Sequence, residues 1–326
     1  MRVGQRWPTP WWLPGGNAQT IWPALFARDR RGAPTRWLRE RWASPDGDFI
    51  DVDHLDANAP EGAPQLVLFH GLEGSSASHY AHAFASLASE RGWRLALPHF
   101  RGCSGELNRA PRAYHSGDFE EIGWVLTRLR ATSAAPVFAC GVSLGGNALM
   151  RWAEEAGAGA ARIAQSLCAI SAPLDLAAAG HAITRGFNHL VYDRMFLATM
   201  KPKALAKLAQ HPGLFDRERL IAARDLYAFD DVFTAPLHGY RGVDDYWARA
   251  SAKPRLADVR IPALLINARN DPFVPASSLP RPGEVGAHVR LWQPATGGHV
   301  GFASGGWPGE VLAMPEAVLD WLASPC

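Results

Sequence analysis

The chain has 326 residues, enough for a substantial core in one large domain or two ordinary ones. Its 48% hydrophobic and 20% charged content excludes the disordered and fibrous classes, and a net charge of +2 with scattered arginines offers nothing to nucleic acid. The four cysteines, Cys103, Cys140, Cys168 and Cys326, have no metal-ligand spacing and are too few for a disulfide scaffold, which points to a reducing compartment.

Residues 1–35 form an N-terminal arm that begins MRVGQRWPTPWWLPGG, with early positive charge but no continuous apolar run, so no signal peptide is expected. No stretch approaches the roughly 18 to 20 apolar residues that cross a bilayer. A cytoplasmic protein is therefore expected, with peripheral membrane contact left open. Trp7, Trp11, Trp12 and Trp22 cluster in this arm. The plain expectation is a Pro-rich segment packed irregularly over the main domain; the sharper one is an aromatic surface for lipid or an acyl chain.

Residues 36–56 read as one or two antiparallel edge strands around Ser44-Pro45-Asp46-Gly47-Asp48. Gln65–Phe69 is a short apolar run ending at His70-Gly71, as a buried parallel strand does. Ser78–Arg91 has helical periodicity, with Tyr80, Phe84, Leu87 and Ala88 on one side and Gly92 as a stop. A strand at Arg94–Pro98 precedes a helix over Asp118–Arg130, where Asp118 and Glu121 suit a capping box. The strand Val137–Cys140 leads to the helix Leu144–Ala156; Gln165–Ile170, Ala263–Asn267 and His288–Trp292 are later strands, and Pro315–Leu322 is a closing helix. This alternation predicts an α/β fold with a mostly parallel central sheet and helices on both faces. The expected core is 36–171 and 254–326. Residues 172–253 break the rhythm and are helical in composition from Met195 to Arg224, either a solvated insertion or a cap over the catalytic edge.

The most informative local signal is Gly141-Val142-Ser143-Leu144-Gly145-Gly146, set between an apolar strand and a helix. That context turns a common GxSxG match into a nucleophile elbow, whereas a phosphate-binding turn would carry the fuller Gly-rich, Lys-bearing pattern. A Ser hydroxyl needs a base of near-neutral pKa, and in this fold the partners follow in the order Ser, acid, His. His299 lies in a glycine-flanked loop after the last strand, and Asp271 lies just beyond Ala263–Asn267, so all three fall at strand carboxyl ends. The candidate triad is Ser143, Asp271 and His299. The N–H groups of Leu144 and Leu72 are the candidate oxyanion donors, with His70 bracing the second loop. In Phe100–Glu106, the residues Arg101, Ser104 and Glu106 are expected to knit the loops beneath the site; Cys103 has no identifiable base.

The chain resembles the YheT-like branch of the α/β-hydrolases, which includes ABHD1/ABHD3-type proteins and yeast medium-chain ethyl ester synthases. The likeness runs over Pro10-Trp11-Trp12, Gln19-Thr20-Ile21-Trp22-Pro23, Phe69–Gly74, Phe100–Glu106, Tyr114-His115-Ser116-Gly117, Gly141–Asn147, Phe233–Tyr240, Tyr246-Trp247 and Asn267–Phe273. The resemblance implies the same triad. Two positions depart from the branch's pattern: Asn17 stands where a histidine is usual, and Asn270 where a second Asp is common. It also implies hydrolysis of carboxylic or lipid esters, with acyl transfer to alcohols in some relatives.

The expected activity is hydrolysis of short- to medium-chain acyl esters through an acyl-serine intermediate, with no metal or organic cofactor. The alternatives are an alcohol O-acyltransferase with the same triad and a non-catalytic scaffold that binds a hydrophobic ligand. Leu72, the arm tryptophans, and Phe187, Leu190, Tyr192, Met195 and Phe196 are expected to supply apolar surface for a small-molecule ester. Lys201, Lys203 and Lys207 are either solvated decoration or a site for an anionic group.

Overall fold

In the computed structural model, which describes residues 3–29, 31, 34–55 and 59–325, one eight-stranded sheet organises the chain. Its strands are β1 (Trp37–Ala43), β2 (Phe49–Leu55), β3 (Gln65–Phe69), β4 (Arg94–Pro98), β5 (Val137–Val142), β6 (Ser166–Ile170), β7 (Ala263–Ile266) and β8 (Val289–Trp292), in the spatial order β1-β2-β4-β3-β5-β6-β7-β8. The pairs β1–β2 and β2–β4 are antiparallel and all the others parallel. Cys326, and Asp56 at the end of the expected edge strand, lie outside the described residues.

The short central strands are apolar on both faces because both faces are covered. In β3, Leu66 and Leu68 join one core cluster while Val67 and Phe69 join the other; β7 divides Leu264 and Ile266 from Ala263 and Leu265 in the same way. Each fully buried Val, Leu, Ile or Phe among them contributes roughly 1.5–3 kcal/mol relative to exposure. Helix α2 (His79–Glu90) covers the first face together with the C-terminal helix Ala313–Ala323, and α3 (Phe119–Thr132) and α4 (Leu144–Ala156) cover the second. All the parallel strands end at one edge, so Ser143, Ser171, Asp271 and His299 leave the sheet on the same side.

Two expectations need correction. The arm is not merely irregular: Gly15–Phe26 forms a helix, α1, whose Gln19 and Thr20 are buried. Trp7 is buried against Trp292 and Phe302, while Trp12 and Trp22 pack with Trp307. The capping box at α3 does not form, and neither carboxylate caps the helix. Asp118 is taken by the guanidinium of Arg112 and Glu121 by that of Arg101 at 2.6 Å. These charge-assisted bonds are stronger than those from a neutral amide, and they win the carboxylates.

Between β6 and β7, residues 172–253 hold no strand; they are helical, with α5 (Leu176–Ile183) followed by a continuous helical run from Gly186 to Gln210. That run passes through a π-helical turn at His189–Asp193 and continues as α6 (Arg194–Gln210). The insertion has apolar clusters of its own, around Leu220, Phe229 and Phe233 and around Tyr246 and Trp247. Among the described residues, no helix is long and apolar enough to cross a membrane.

Candidate active site

Ser143 ends β5 and precedes α4 with φ 51° and ψ −118°, a conformation that costs a non-glycine residue about 1–3 kcal/mol unless its surroundings enforce it. They do. Its N–H donates to Ile170 O at 2.8 Å, and its carbonyl accepts from Gly146 and Asn147 N–H at 2.9 and 3.2 Å. The flanking glycines allow backbone to touch backbone: a Cβ on Gly141 would lie 2.4 Å from Gly145 O, and one on Gly145 2.5 Å from His70 O. The elbow therefore projects Oγ from the sheet edge, above the N-terminus of α4.

Asp271 sits in the turn after β7, where its Oδ1 accepts the N–H groups of Phe273 at 2.7 Å and Val274 at 3.2 Å. The other oxygen, Oδ2, lies 2.8 Å from His299 Nδ1, and His299 Nε2 lies 3.0 Å from Ser143 Oγ. A carboxylate at Nδ1 stabilises the Nδ1–H tautomer, which leaves Nε2 free to accept the Ser143 proton. The Asp271 side chain has no exposure, that of His299 10%, and Phe273 packs on the imidazole at 4.3 Å between centroids. The structure thus joins the three residues chosen from the sequence into one hydrogen-bonded chain.

The loop after β3 is braced by His70, Tyr80 and Tyr114. Burial pushes the His70 imidazole down to about 3, so it is neutral; its Nε2 accepts from Phe100 N–H at 3.0 Å and its Nδ1–H donates to Gly71 O at 2.7 Å. Gly71 N–H donates to the Tyr80 hydroxyl. Glu73, at φ 56°, donates its N–H to the Tyr114 hydroxyl, which in turn donates to its carboxylate. The N–H groups of Leu72 and Leu144 meet no acceptor among the described residues.

Ser143, Leu72 and Leu144 line a cavity of about 140 Å³. The insertion supplies most of its apolar wall, including Leu176, Ile183, Phe196, Met200 and Phe233. Of the apolar residues expected to face a substrate, Leu72 and Phe196 line this cavity; Tyr192 is buried against Phe273, and Phe187, Leu190 and Met195 are exposed. None of the arm tryptophans reaches it. Lys203 pairs with Glu73 at 2.8 Å, and Lys201 donates to Ile221 O. Lys207 is not decoration: it is 1% exposed, gives its protons to Asn108 O, Ala110 O and Gln210 Oε1, and burial lowers it to about 8.

Arg101, Ser104 and Glu106 tie their loop to the β1–β2 hairpin through Asp46 and Asp48, Asp51, and Arg41 respectively. Burial pushes the Cys103 thiol up to about 12, which disfavours a thiolate nucleophile. Sequence reasoning missed Gln19 and Thr20 on α1, and Ser171, all of which touch the His299 loop. It also missed Tyr80 and Tyr114 on the Leu72 loop. Gln19-Thr20 and Tyr114 fall within stretches that carry the family likeness, but nothing in their spacing indicates what they touch.

A family model described as alpha/beta hydrolase fold matches residues 64–305. The putative esterase YheT of Escherichia coli (strain K12) is 38% identical over 94% of this chain and 90% of its own length. The chain belongs to the α/β-hydrolase family, in its YheT- and ABHD3-like branch. The phospholipase ABHD3 of Mus musculus is 29% identical over 91% of this chain and 76% of that protein. Among solved structures, Est1E from Butyrivibrio proteoclasticus with bound ferulic acid shares the fold at TM-score 0.55 and 15% identity, covering 88% of this chain and 98% of that one.

Proposed function

We propose that this family member is a carboxylester hydrolase that works through an acyl-Ser143 intermediate. The observation that carries this reading is the unbroken hydrogen-bonded chain from Asp271 through His299 to Ser143, ending at the lip of an apolar cavity. The names of its relatives, putative esterase, phospholipase and monoacylglycerol lipase, support the same substrate class. His299 takes the Ser143 proton as Oγ attacks the ester carbonyl, and Asp271 offsets the charge on the imidazolium. The unclaimed N–H groups of Leu72 and Leu144 receive the oxyanion, each worth on the order of 3 kcal/mol in the transition state. The alkoxide leaves with the proton from His299, which then draws a proton from water for deacylation.

Residues 172–253 serve as the cap that shapes the acyl site. A cavity of about 140 Å³ is close to the ~150 Å³ that houses a benzene ring, which favours acyl chains of about six carbons. Until the cavity is full, each methylene adds about 0.8 kcal/mol, or roughly a fourfold gain in kcat/KM. The test is a p-nitrophenyl ester series from two to sixteen carbons, with organophosphonate labelling read by mass spectrometry. A rate maximum between four and ten carbons with label on Ser143 is expected. A folded protein that no phosphonate labels would refute the mechanism. A rate rising to sixteen carbons only on lipid vesicles would refute an acyl site of this size. Product that passes mainly to added alcohol would make the protein an acyltransferase.

A further inference from the structure

Four successive backbone N–H groups of the His299 loop each end on a side chain. Gly297 donates to Gln19 Oε1 at 2.9 Å, Gly298 to Asn270 Oδ1 at 3.1 Å, His299 to Thr20 Oγ1 at 2.9 Å and Val300 to Ser171 Oγ at 3.0 Å. In a helix or sheet such groups would find carbonyls by regular repetition. Here the path is irregular and strained: Val300 has φ 60° and Phe302 φ 40°, where a β-branched or aromatic residue rarely sits. Left alone, this segment would relax toward lower-energy backbone. The loop that carries the base therefore depends on acceptors brought to it from elsewhere.

Two of the four acceptors come from α1, at the other end of the chain, and each is oriented from behind. Gln19 Nε2 donates to Leu13 O at 2.8 Å, so its oxygen faces the loop, where it also accepts from Asn270 Nδ2 at 2.9 Å. Thr20 Oγ1 donates to Gly16 O at 2.7 Å, which turns its lone pairs toward His299 N–H. The backbones meet without side chains between them: a Cβ on Gly301 would lie 1.7 Å from Gln19 O, and one on Gly16 1.9 Å from Asn270 O. The arm is fastened to the same stretch by Trp7 Nε1, which donates to Ala303 O at 3.0 Å, and by Trp22 Nε1, which donates to Pro308 O at 2.8 Å.

We propose that Gln19 and Thr20 are positioning residues for His299: α1 holds the loop at the place where the imidazole spans Ser143 and Asp271. The arm is then part of the catalytic apparatus and not only a brace on the core. This rests on the Ser143-dependent hydrolysis proposed above. Neither residue lines the cavity, so their influence falls on the chemical step and not on ground-state binding. A displacement of about 1 Å at a reacting group costs on the order of 100-fold in rate.

The experiment compares wild type with Thr20→Val, Thr20→Ser and Gln19→Met, and with Ser143→Ala as the blank. Thr20→Val and Gln19→Met should lower kcat by about 10- to 100-fold with KM within about twofold, and slow phosphonate labelling by the same factor. Thr20→Ser keeps the acceptor and should stay within about threefold of wild type. The His299 Nδ1 proton resonance, which reports the bond to Asp271, should shift in Thr20→Val while far-UV circular dichroism is unchanged. Wild-type kcat in folded Thr20→Val and Gln19→Met would overturn the proposal, as would a rise in KM at constant kcat. A Thr20→Ser as impaired as Thr20→Val would assign the loss to packing and also overturn it. Should Thr20→Val fail to fold, Gln19→Met and Thr20→Ser decide by the same readouts. A wild type with no turnover or label above the Ser143→Ala blank would instead sink the hydrolase reading itself.

Discussion

Ser143 and His299 face each other across 3.0 Å, yet the chain holds them by different means. Around Ser143 the contacts are those of the sheet itself: β5, the neighbouring carbonyl of Ile170 at the end of β6, and the first turn of α4. The elbow is in effect the last step of a buried strand, and its conformation follows wherever the strand and helix pack. The His299 loop has no such support. Its four N–H groups are claimed by side chains of Gln19, Thr20, Ser171 and Asn270, which arrive from α1, the end of β6 and the turn after β7. A serine built into the core is robust to change in distant segments, whereas a histidine held by long-range side-chain contacts is exposed to every one of them.

The largest effect should come from Ser143, the proposed nucleophile. Ser143→Ala removes only Oγ from a conformation the core enforces, so turnover should fall by 10⁴-fold or more while the thermal midpoint hardly moves. Parallel loss of stability, read by calorimetry, would show that the elbow is not fixed by its strand and helix alone. On the other side, Gly301→Ala should cost both function and architecture. Its Cβ cannot coexist with Gln19 O at 1.7 Å, so the arm must lift away. Activity should drop by more than about tenfold, with new limited-proteolysis cuts within residues 3–26 and an intact core fragment. An arm that stays protected in the active variant would contradict that expectation.

A subtler change is Asn270→Asp. The amide donates to Gln19 Oε1 and accepts from Gly298 N–H, whereas a carboxylate cannot donate and would set oxygen against oxygen. A loss of about 1–3 kcal/mol in stability is expected from the unmade bond, measurable in urea, with a smaller fall in kcat than Gly301→Ala gives. The smallest effect on catalysis should come from Asp48, which anchors the β1–β2 hairpin. Burial by itself would raise its pKa, but the bonds from Asn108 and from the N–H groups of Arg109, Ala110 and Phe49 prevail and lower it to about 2. Because the folded value lies below the unfolded one of about 3.9, its stabilisation is present above pH 4 and lost as pH falls toward 2. Asp48→Asn should flatten the fall in urea midpoint between pH 4 and 2 and leave kcat near wild type at pH 7.

Much of the fold was legible because it rests on local periodicity. Apolar runs of four to six residues alternating with helical stretches predict β3 to β8 and α2 to α4 within a residue or two, since the strands inside the sheet are covered on both faces and even the edge strand β8 buries Val289 and Trp292. The order of Ser143, Asp271 and His299 at strand ends was legible for the same reason: strand carboxyl ends collect at one sheet edge. The capping box failed where two carboxylates had arginine partners from other segments, Arg101 and Arg112. Lys207 read as a charge on a helix, and only packing showed its ammonium enclosed among carbonyls.

What the sequence by itself determined is therefore the sheet, the elbow and the identity of the three aligned side chains, all set by neighbours within a few residues or by rules common to parallel strands. Only the tertiary structure decided that α1 reaches the His299 loop, that Asn270 bridges Gln19 and Gly298, and that Phe196 faces the cavity while Phe187, Leu190 and Met195 face outward. The physical reason is range. Hydrophobic period and strand order are written in consecutive residues, but a hydrogen bond between positions 19 and 297 leaves no periodic trace, because its geometry exists only after the core has brought the two ends of the chain together.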